Sequence, residues 1–172
     1  GLNDGRLSLP KGLVNGVALE AELRRLVKVR DARRFDQLPI PFRAVAGDIA
    51  TGEAVVLGSG SLARAIRASM SIPAALSPIE IDGRLLVDGG IAMNLPVEVA
   101  RNMGAETIIA VDISSTLLTR ESMRSIVDIT TQLTNLLTRG GTLDQRAKLT
   151  ANDLLLLPQF SADLGSADFT RM

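Results

Sequence analysis

The chain has 172 residues, of which 46% are hydrophobic but only 2% aromatic, and its 19 basic and 19 acidic side chains balance. This length suits one domain with a sizeable core, and the zero net charge argues against a nucleic-acid-binding surface. Neither Cys nor His occurs, which excludes disulfides and a Ser-His-Asp triad completed within these residues. Carboxylates alone also disfavour a transition-metal site, and no apolar run is long enough to span a bilayer.

The first half of the chain alternates between helical and strand patterns. Ser61 is a plausible N-cap for the second helix, which Pro73 ends. Asp82-Gly83 between two apolar runs is a strong signal for the tight turn of a hairpin. The predicted elements are a helix, two strands, a second helix and a hairpin, over 12–29, 40–49, 51–57, 60–69 and 78–90.

The second half continues the alternation, which indicates an α/β layer fold. Asn94 is expected to cap a helix that has Pro96 in its first turn and ends at Gly104. The later predictions are a strand buried on both faces, a helix closed by Arg139-Gly140, a short helix and another buried strand, over 107–114, 122–139, 144–149 and 153–158. We expect the apolar stripe of the long helix to pack in the core; it comprises Ile126, Ile129, Leu133, Leu136 and Leu137.

The segment "GSGSLA" (58–63) fits the Gly-x-Gly-x-x-Ala pattern of a dinucleotide-binding loop. That pattern needs a crossover to a parallel strand, and here Pro73, Pro78 and a hairpin follow instead. A strand-to-helix turn with a serine cap is therefore the favoured interpretation. A magnesium site built from Asp48, Asp88 and Asp112 has no supporting spacing either, so no metal and no cofactor are expected.

Asp88-Gly89-Gly90 follows the apolar strand residues "RLLV". A turn would explain the tripeptide alone, but the packed strand fixes the Cα of Asp88, and the two glycines allow a backbone or a substrate to come close. A rigidly held carboxylate with space before it can take a proton from a hydroxyl group. It would need a serine within hydrogen-bonding distance and an oxyanion hole opposite.

The stretch 41–114 resembles the C-terminal part of a bacterial patatin-like phospholipase domain. The resemblance rests on "IRASMSIPAALSPIEIDGRLLVDGG", followed in order by Asn94, Pro96-Val97, Arg101 and "MGA". It is closest to patatin domains secreted as passengers of a fused outer-membrane barrel. The resemblance implies a three-layer α/β sheet with helices on both faces, with residues 1–172 forming the C-terminal part of one domain that lacks its N-terminal strands here.

The resemblance also implies a function, the hydrolysis of lipid acyl esters of the phospholipase A or lysophospholipase type. Members use a Ser-Asp dyad, and Asp88 falls on the position of the base. Gly89 and Gly90 would keep the approach to it open, and Asn94 would tie down the loop through its cap. No Gly-x-Ser-x-Gly nucleophile segment occurs in residues 1–172, so we expect a fragment; a degenerate, inactive binding or regulatory module is the alternative.

Four nearby serines, Ser59, Ser61, Ser69 and Ser71, could instead carry the reaction. Ser69 and Ser71 flank a helix break, so we expect their hydroxyls to bond freed backbone groups; the resemblance implies that they support the cleft floor. It implies as partners an acyl-ester substrate such as a phospholipid, a membrane surface and the missing N-terminal segment, and leaves a homodimer open. Localisation stays open between a secreted or cell-surface protein and a cytoplasmic one.

Overall fold

The computed structural model describes residues 16–27, 34–73, 75–114 and 117–158. The predicted ends of the first helix and the residues after 158 lie outside this part of the chain. The helices are α1 (Gly16–Val27), α2 (Leu62–Ser69), α3 (Gly90–Met93), α4 (Val97–Asn102) and α5 (Ile126–Arg146). The strands are β1 (Ala44–Asp48), β2 (Ala54–Leu57), β3 (Ile79–Ile81), β4 (Arg84–Asp88), β5 (Ile109–Val111) and β6 (Leu154–Leu156).

Four strands form an antiparallel sheet in the order β2-β1-β4-β3. The core on one face joins Ala44 and Ala46 of β1 and Leu86 of β4 to α2. On the other face Gly47 lies against α3, where a Cβ built on Gly47 would be 3.5 Å from the Cβ of Ala92. The sheet therefore has helices on both faces, as predicted, and the protein has a mixed α/β fold.

The hairpin β3–β4 turns at the predicted residues. Asp82 and Gly83 have φ angles of 50° and 74°, the pair of positive values that a two-residue type I′ turn requires. Glycine adopts such an angle without steric cost, and aspartate is among the few other residues that tolerate it. The turn fixes the register of β4, and so it also fixes the position of Asp88 at the end of that strand.

Helix α2 begins where the sequence predicts. The Ser61 side chain accepts a hydrogen bond from Arg64 N at 3.4 Å, so it caps the helix. Arg67, on the same helix, is buried, and its guanidinium donates to the Ser77 carbonyl at 3.0 Å and to the Ser71 hydroxyl. These bonds tie the end of α2 to the segment that leads into β3.

Strands β5 and β6 form a separate two-stranded parallel sheet. The predictions of a strand buried on both faces over 107–114 and of a second buried strand over 153–158 are wrong for this structure, since Ile109 is 65% exposed and Leu154 is 50% exposed. Each strand has one neighbour among the described residues, and the described residues cover only one face, where Ala110 is buried. Asp153 anchors the pair by accepting hydrogen bonds from Ile108 N and from Arg101.

Helix α5 corrects two predictions. It does not close at Arg139-Gly140 but continues through the glycines to Arg146, joining the two predicted helices into one. Two interior glycines cost a helix about 1 kcal/mol each. Contacts beyond them offset this cost, because Thr142 and Gln145 are buried and Arg146 pairs with Asp112.

The apolar stripe of α5 does not pack in the core, contrary to the prediction. Leu137 is 77% exposed, and Ile126, Ile129, Leu133 and Leu136 are exposed as well. The face that contacts α3 and α4 is instead polar, and Gln145 accepts a hydrogen bond from Glu98 N at the start of α4 (3.0 Å). No helix in the described part of the chain has the length and apolar character needed to cross a membrane.

Candidate active site

Asp88 is the last residue of β4 and lies opposite Ala46 on β1. Its N–H donates to the Ser71 carbonyl (3.0 Å), and the Gly89 N–H donates to the Ser69 carbonyl (3.3 Å). The segment that leaves α2 therefore holds the backbone of Asp88 and Gly89 from one side while β1 holds it from the other. This double support fixes the point at which the Asp88 side chain leaves the sheet.

The Asp88 carboxylate accepts a hydrogen bond from Gly90 N at 2.7 Å through Oδ1. It forms no ion pair with a cation of the described residues. Partial burial raises the pKa of Asp88 above its usual value, and the Gly90 hydrogen bond opposes this only in part. A carboxyl group with a raised pKa is a better proton acceptor when it is ionised.

Glycine is favoured at each of the two positions after Asp88 for a different structural reason. A Cβ on Gly89 would lie 2.1 Å from the Val45 carbonyl oxygen, so only glycine fits against β1 there. A Cβ on Gly90 would lie 2.8 Å from Asp88 Oδ1, so glycine leaves room for the carboxylate to fold over the Gly90 N–H. The close approach predicted from the sequence is thus to the protein's own backbone at Gly89 and to the Asp88 side chain at Gly90.

A cavity of about 420 Å³ adjoins Asp88. Most of its lining side chains are apolar, and the polar ones besides Asp88 are Ser69, Asn94 and Arg43, whose guanidinium pairs with Asp36 (2.6 Å). The apolar lining residues are Phe42, Ala44, Val45, Ile66, Met70, Met93 and Pro96. A half-buried carboxylate beside a mainly apolar cavity is an arrangement that can accept a proton next to an uncharged organic substrate.

The local serines occupy supporting positions. Ser71 is fully buried, and its hydroxyl donates to the Arg67 carbonyl at 2.7 Å while it accepts from the Arg67 guanidinium. That is the backbone bonding predicted for Ser71. Ser69 lines the cavity, and no hydroxyl of a described serine is hydrogen-bonded to the Asp88 carboxylate. Asp88 therefore has no serine nucleophile in place within this part of the chain.

Asn94 does not cap the next helix, which corrects the prediction. It has helical angles at the end of α3, and α4 begins after Pro96 without a side-chain cap. Its side chain reaches across the fold instead, donating from Nδ2 to Ser114 Oγ at 2.9 Å. The reason is that the chain forms the short helix α3 directly after Gly89. Asn94 therefore lies at the C-terminal end of α3, and α4 begins only after Pro96.

The other strand-end aspartates differ from Asp88. Asp112 is buried, accepts a hydrogen bond from Ser114 N (2.8 Å) and forms a salt bridge with Arg146 (2.6 Å). Its burial raises the pKa of Asp112, but these bonds outweigh the burial and lower the pKa overall. Asp48 accepts from Ala50 N in a turn. No three carboxylates of the described residues are grouped to hold a metal ion.

The segment 58–63 does not form a dinucleotide-binding unit. Strand β2 before it is antiparallel to β1, and the helix after it leads into another antiparallel hairpin. A βαβ crossover is therefore absent at this place. The turn with its Ser61 cap, favoured from the sequence, is what the structure contains.

Two residues of the site had no signal in the sequence that pointed to them. Arg67 is buried and braces Ser71, although arginine is seldom buried without an acidic partner. Val45 supplies the carbonyl oxygen against which Gly89 packs, and a backbone contact of this kind depends on strand register rather than on residue type. The glycine itself was the only indication that something comes close.

Comparisons with known proteins identify the family of this chain. The family model described as "Patatin-like phospholipase" matches residues 2–101. Similar proteins include an uncharacterized NTE family protein of Mycobacterium tuberculosis, 43% identical over 101 residues that cover 55% of this chain and 28% of the relative. Patatin-like phospholipase domain-containing protein 7 of Mus musculus is 44% identical over 85 residues, 48% of this chain and 6% of its own length. Patatin-like phospholipase domain-containing protein 6 of Homo sapiens is 40% identical over 94 residues, 54% of this chain and 7% of its own.

The chain thus spans less than a third of the length of these relatives. The assignment of all 172 residues to one domain and the likeness to barrel-fused passengers stay predictions. The family itself is established by the match over more than half of the chain, which includes Asp88, Gly89 and Gly90. This chain belongs to the patatin-like phospholipase family.

Proposed function

We propose that the protein hydrolyses lipid acyl esters and that Asp88 is the general base of a Ser-Asp dyad. The proposal rests on the structural environment of the Asp88 carboxylate. It is held at the end of β4 by backbone bonds on both sides, it has a raised pKa, and it adjoins a mainly apolar cavity. The family match supports a lipid hydrolase as the reaction class.

In the proposed reaction, Asp88 accepts the proton of a serine hydroxyl as the serine oxygen attacks the ester carbonyl. The carboxylic acid then returns this proton to the departing alcohol, which leaves an acyl-serine. Asp88 next takes a proton from water, whose oxygen attacks the acyl group, and the proton returns to the serine oxygen as the fatty acid leaves. The chemistry requires no metal and no cofactor.

The nucleophile belongs to the proposal as well. No Gly-x-Ser-x-Gly segment occurs in the 172 residues, so we propose that a further segment of the parent protein supplies it together with the oxyanion hole. The exposed apolar side chains of β5 and β6 support this, since Ile109, Val111, Leu154 and Leu156 offer a surface for further chain to cover. The proposed substrate is an acyl ester presented at a membrane surface.

The proposal can be tested in the full-length protein that contains this chain, with Asp88→Asn and a matched Asp48→Asn control. Asp48 is also a carboxylate at a strand end of the same sheet, but it does not line the cavity. Loss of a general base lowers turnover by about 10²–10⁴-fold, so hydrolysis of a short-chain acyl ester should fall by that factor only in Asp88→Asn. Equal turnover in the two variants would remove Asp88 from the mechanism.

The same assay distinguishes a hydrolase from the alternative class, an inactive binding or regulatory module. A full-length protein that binds acyl esters but does not hydrolyse them, with both aspartates intact, would establish that class and overturn the proposed hydrolase.

A further inference from the structure

Helix α5 reverses the usual arrangement of polar and apolar faces. Two of its polar side chains, Thr142 and Gln145, are buried against the described protein. Its large apolar side chains are exposed instead, and they are Ile126, Ile129, Leu133, Leu136, Leu137 and Leu143. An amphipathic helix of a globular protein normally turns its apolar side towards the core. The exposed apolar side of α5 is therefore a surface for a partner to cover.

The spacing of these side chains is that of a helix that pairs with another helix. Steps of three and four residues alternate through positions 126, 129, 133, 136, 140 and 143, which we call the outer seam of α5. This heptad spacing keeps one line of side chains against a neighbouring helix over successive turns. Isoleucine or leucine occupies every position of the outer seam except Gly140. The partner that fits the outer seam is therefore a helix.

Two charged residues beside the outer seam indicate which helix fits it. Arg139 and Asp144 lie on opposite flanks, and both are exposed. Neither forms an ion pair with another described residue. They are five positions apart, the spacing at which flanking residues of two parallel helices in register face each other. Arg139 of one copy of α5 would thus meet Asp144 of a second copy, and the converse pair would form on the other side.

The remaining flanking residues agree with a parallel pair of α5 helices. At the same spacing of five, Ser125 faces Thr130 and Gln132 faces Leu137, so no like charges meet. An antiparallel pair along the same seam would place Arg139 opposite Gln132 and would leave Asp144 beyond the start of the other helix. Only the parallel arrangement pairs both charges.

We propose that the outer seam of α5 is the interface of a homodimer in which two copies of this helix pack in parallel about a two-fold axis. The apolar side chains of the outer seam form symmetric layers, and the two Arg139–Asp144 ion pairs fix the direction and register. The proposal does not depend on the proposed function, because no residue of α5 lines the cavity beside Asp88.

The test measures the oligomeric state of the full-length protein by sedimentation equilibrium over a range of protein concentrations. Arg139→Glu and Asp144→Arg each place like charges across the interface, and the double variant restores opposite charges in reversed order. Arg84→Glu is the matched control, because Arg84 is also an exposed arginine but lies in β4. Leu133→Gln removes an apolar group from the middle of the outer seam, and circular dichroism checks that each variant is folded.

We expect a dimer whose dissociation constant rises by about tenfold in each single charge reversal at positions 139 and 144. The double variant should return close to the wild-type value, Arg84→Glu should not change it, and Leu133→Gln should also weaken the dimer. A monomeric wild type, a dimer that neither reversal affects, or failure of the double variant to restore association would overturn the proposal. The charge reversals decide the question even if Leu133→Gln does not fold, since both positions are exposed.

Two further measurements identify a different occupant of the outer seam. A monomer whose urea midpoint falls in Leu133→Gln at every protein concentration would indicate that another segment of the same chain covers it. A monomer that sediments with phosphatidylcholine–phosphatidylglycerol vesicles, and does so less in Leu133→Gln, would indicate a membrane surface. Either result would overturn the homodimer.

Discussion

Replacement of Gly89 by alanine tests how tightly the backbone of the site is packed. The new Cβ would lie 2.1 Å from the Val45 carbonyl oxygen and 2.7 Å from the carbonyl carbon. Val45 is in β1, which is paired on both sides by β2 and β4, so its backbone cannot move aside without loss of sheet hydrogen bonds. Gly89 has a φ of −66°, which alanine adopts freely, so the whole cost is steric.

Overpacking in a core costs about 1–3 kcal/mol when side chains can adjust. Here the obstacle is backbone, so we expect Gly89→Ala to lower the free energy of unfolding by about 3 kcal/mol or more. Urea denaturation measures this as a shift of the transition midpoint at constant slope. Gly140→Ala is the matched control, because its Cβ would meet no atom within 4 Å inside helix α5.

The control should change stability in the opposite direction, raising the free energy of unfolding by up to about 1 kcal/mol through helix propensity. A Gly89→Ala protein with the wild-type midpoint would refute the close contact between β1 and the residue after Asp88, and with it the reason given for the glycine.

Two further predictions concern pH. The raised pKa of Asp88 means that folding favours its protonated form. The contribution of Asp88 to stability is therefore greatest below the unfolded-state pKa and is lost as pH rises through the folded-state pKa. In denaturation curves, Asp88→Asn should be more stable than the wild type at pH 7 and should lose that advantage in acid. Asp153 behaves oppositely: hydrogen bonds, first from Thr150 N, lower the pKa of Asp153 to about 2, so its stabilisation is present above the unfolded-state value and is lost as pH falls towards 2. Asp153→Asn should reduce the loss of unfolding free energy at low pH, and an unchanged loss would contradict the assigned hydrogen bonds.

Local features of the fold could be predicted because they depend on neighbouring residues. The Ser61 cap and the Asp82-Gly83 turn involve groups within a few positions of each other, and the chain alone specifies them. The position of Asp88 at the end of a strand before two glycines was evident for the same reason. Its proposed role rests on the resemblance that the spaced motifs around it carry.

The features that the sequence did not predict depend on distant partners. Asn94 bonds Ser114, 20 positions away, and sequence spacing gave the nearer role of a helix cap instead. The stripe on α5 marks an apolar face, but periodicity does not say whether the described residues cover it. Burial of Arg67 is likewise set by its bonds to Ser71 and Ser77.

The most direct measurement for the proposed role of Asp88 is the rate at which a fluorophosphonate labels the proposed nucleophilic serine of the full-length protein. This reaction reports on activation of the hydroxyl without need of turnover. We predict that Asp88→Asn slows labelling by about 10²–10⁴-fold while Asp48→Asn labels at the wild-type rate. Labelling of Asp88→Asn at the wild-type rate would contradict the account, because it would mean that the serine is activated by a group other than this carboxylate.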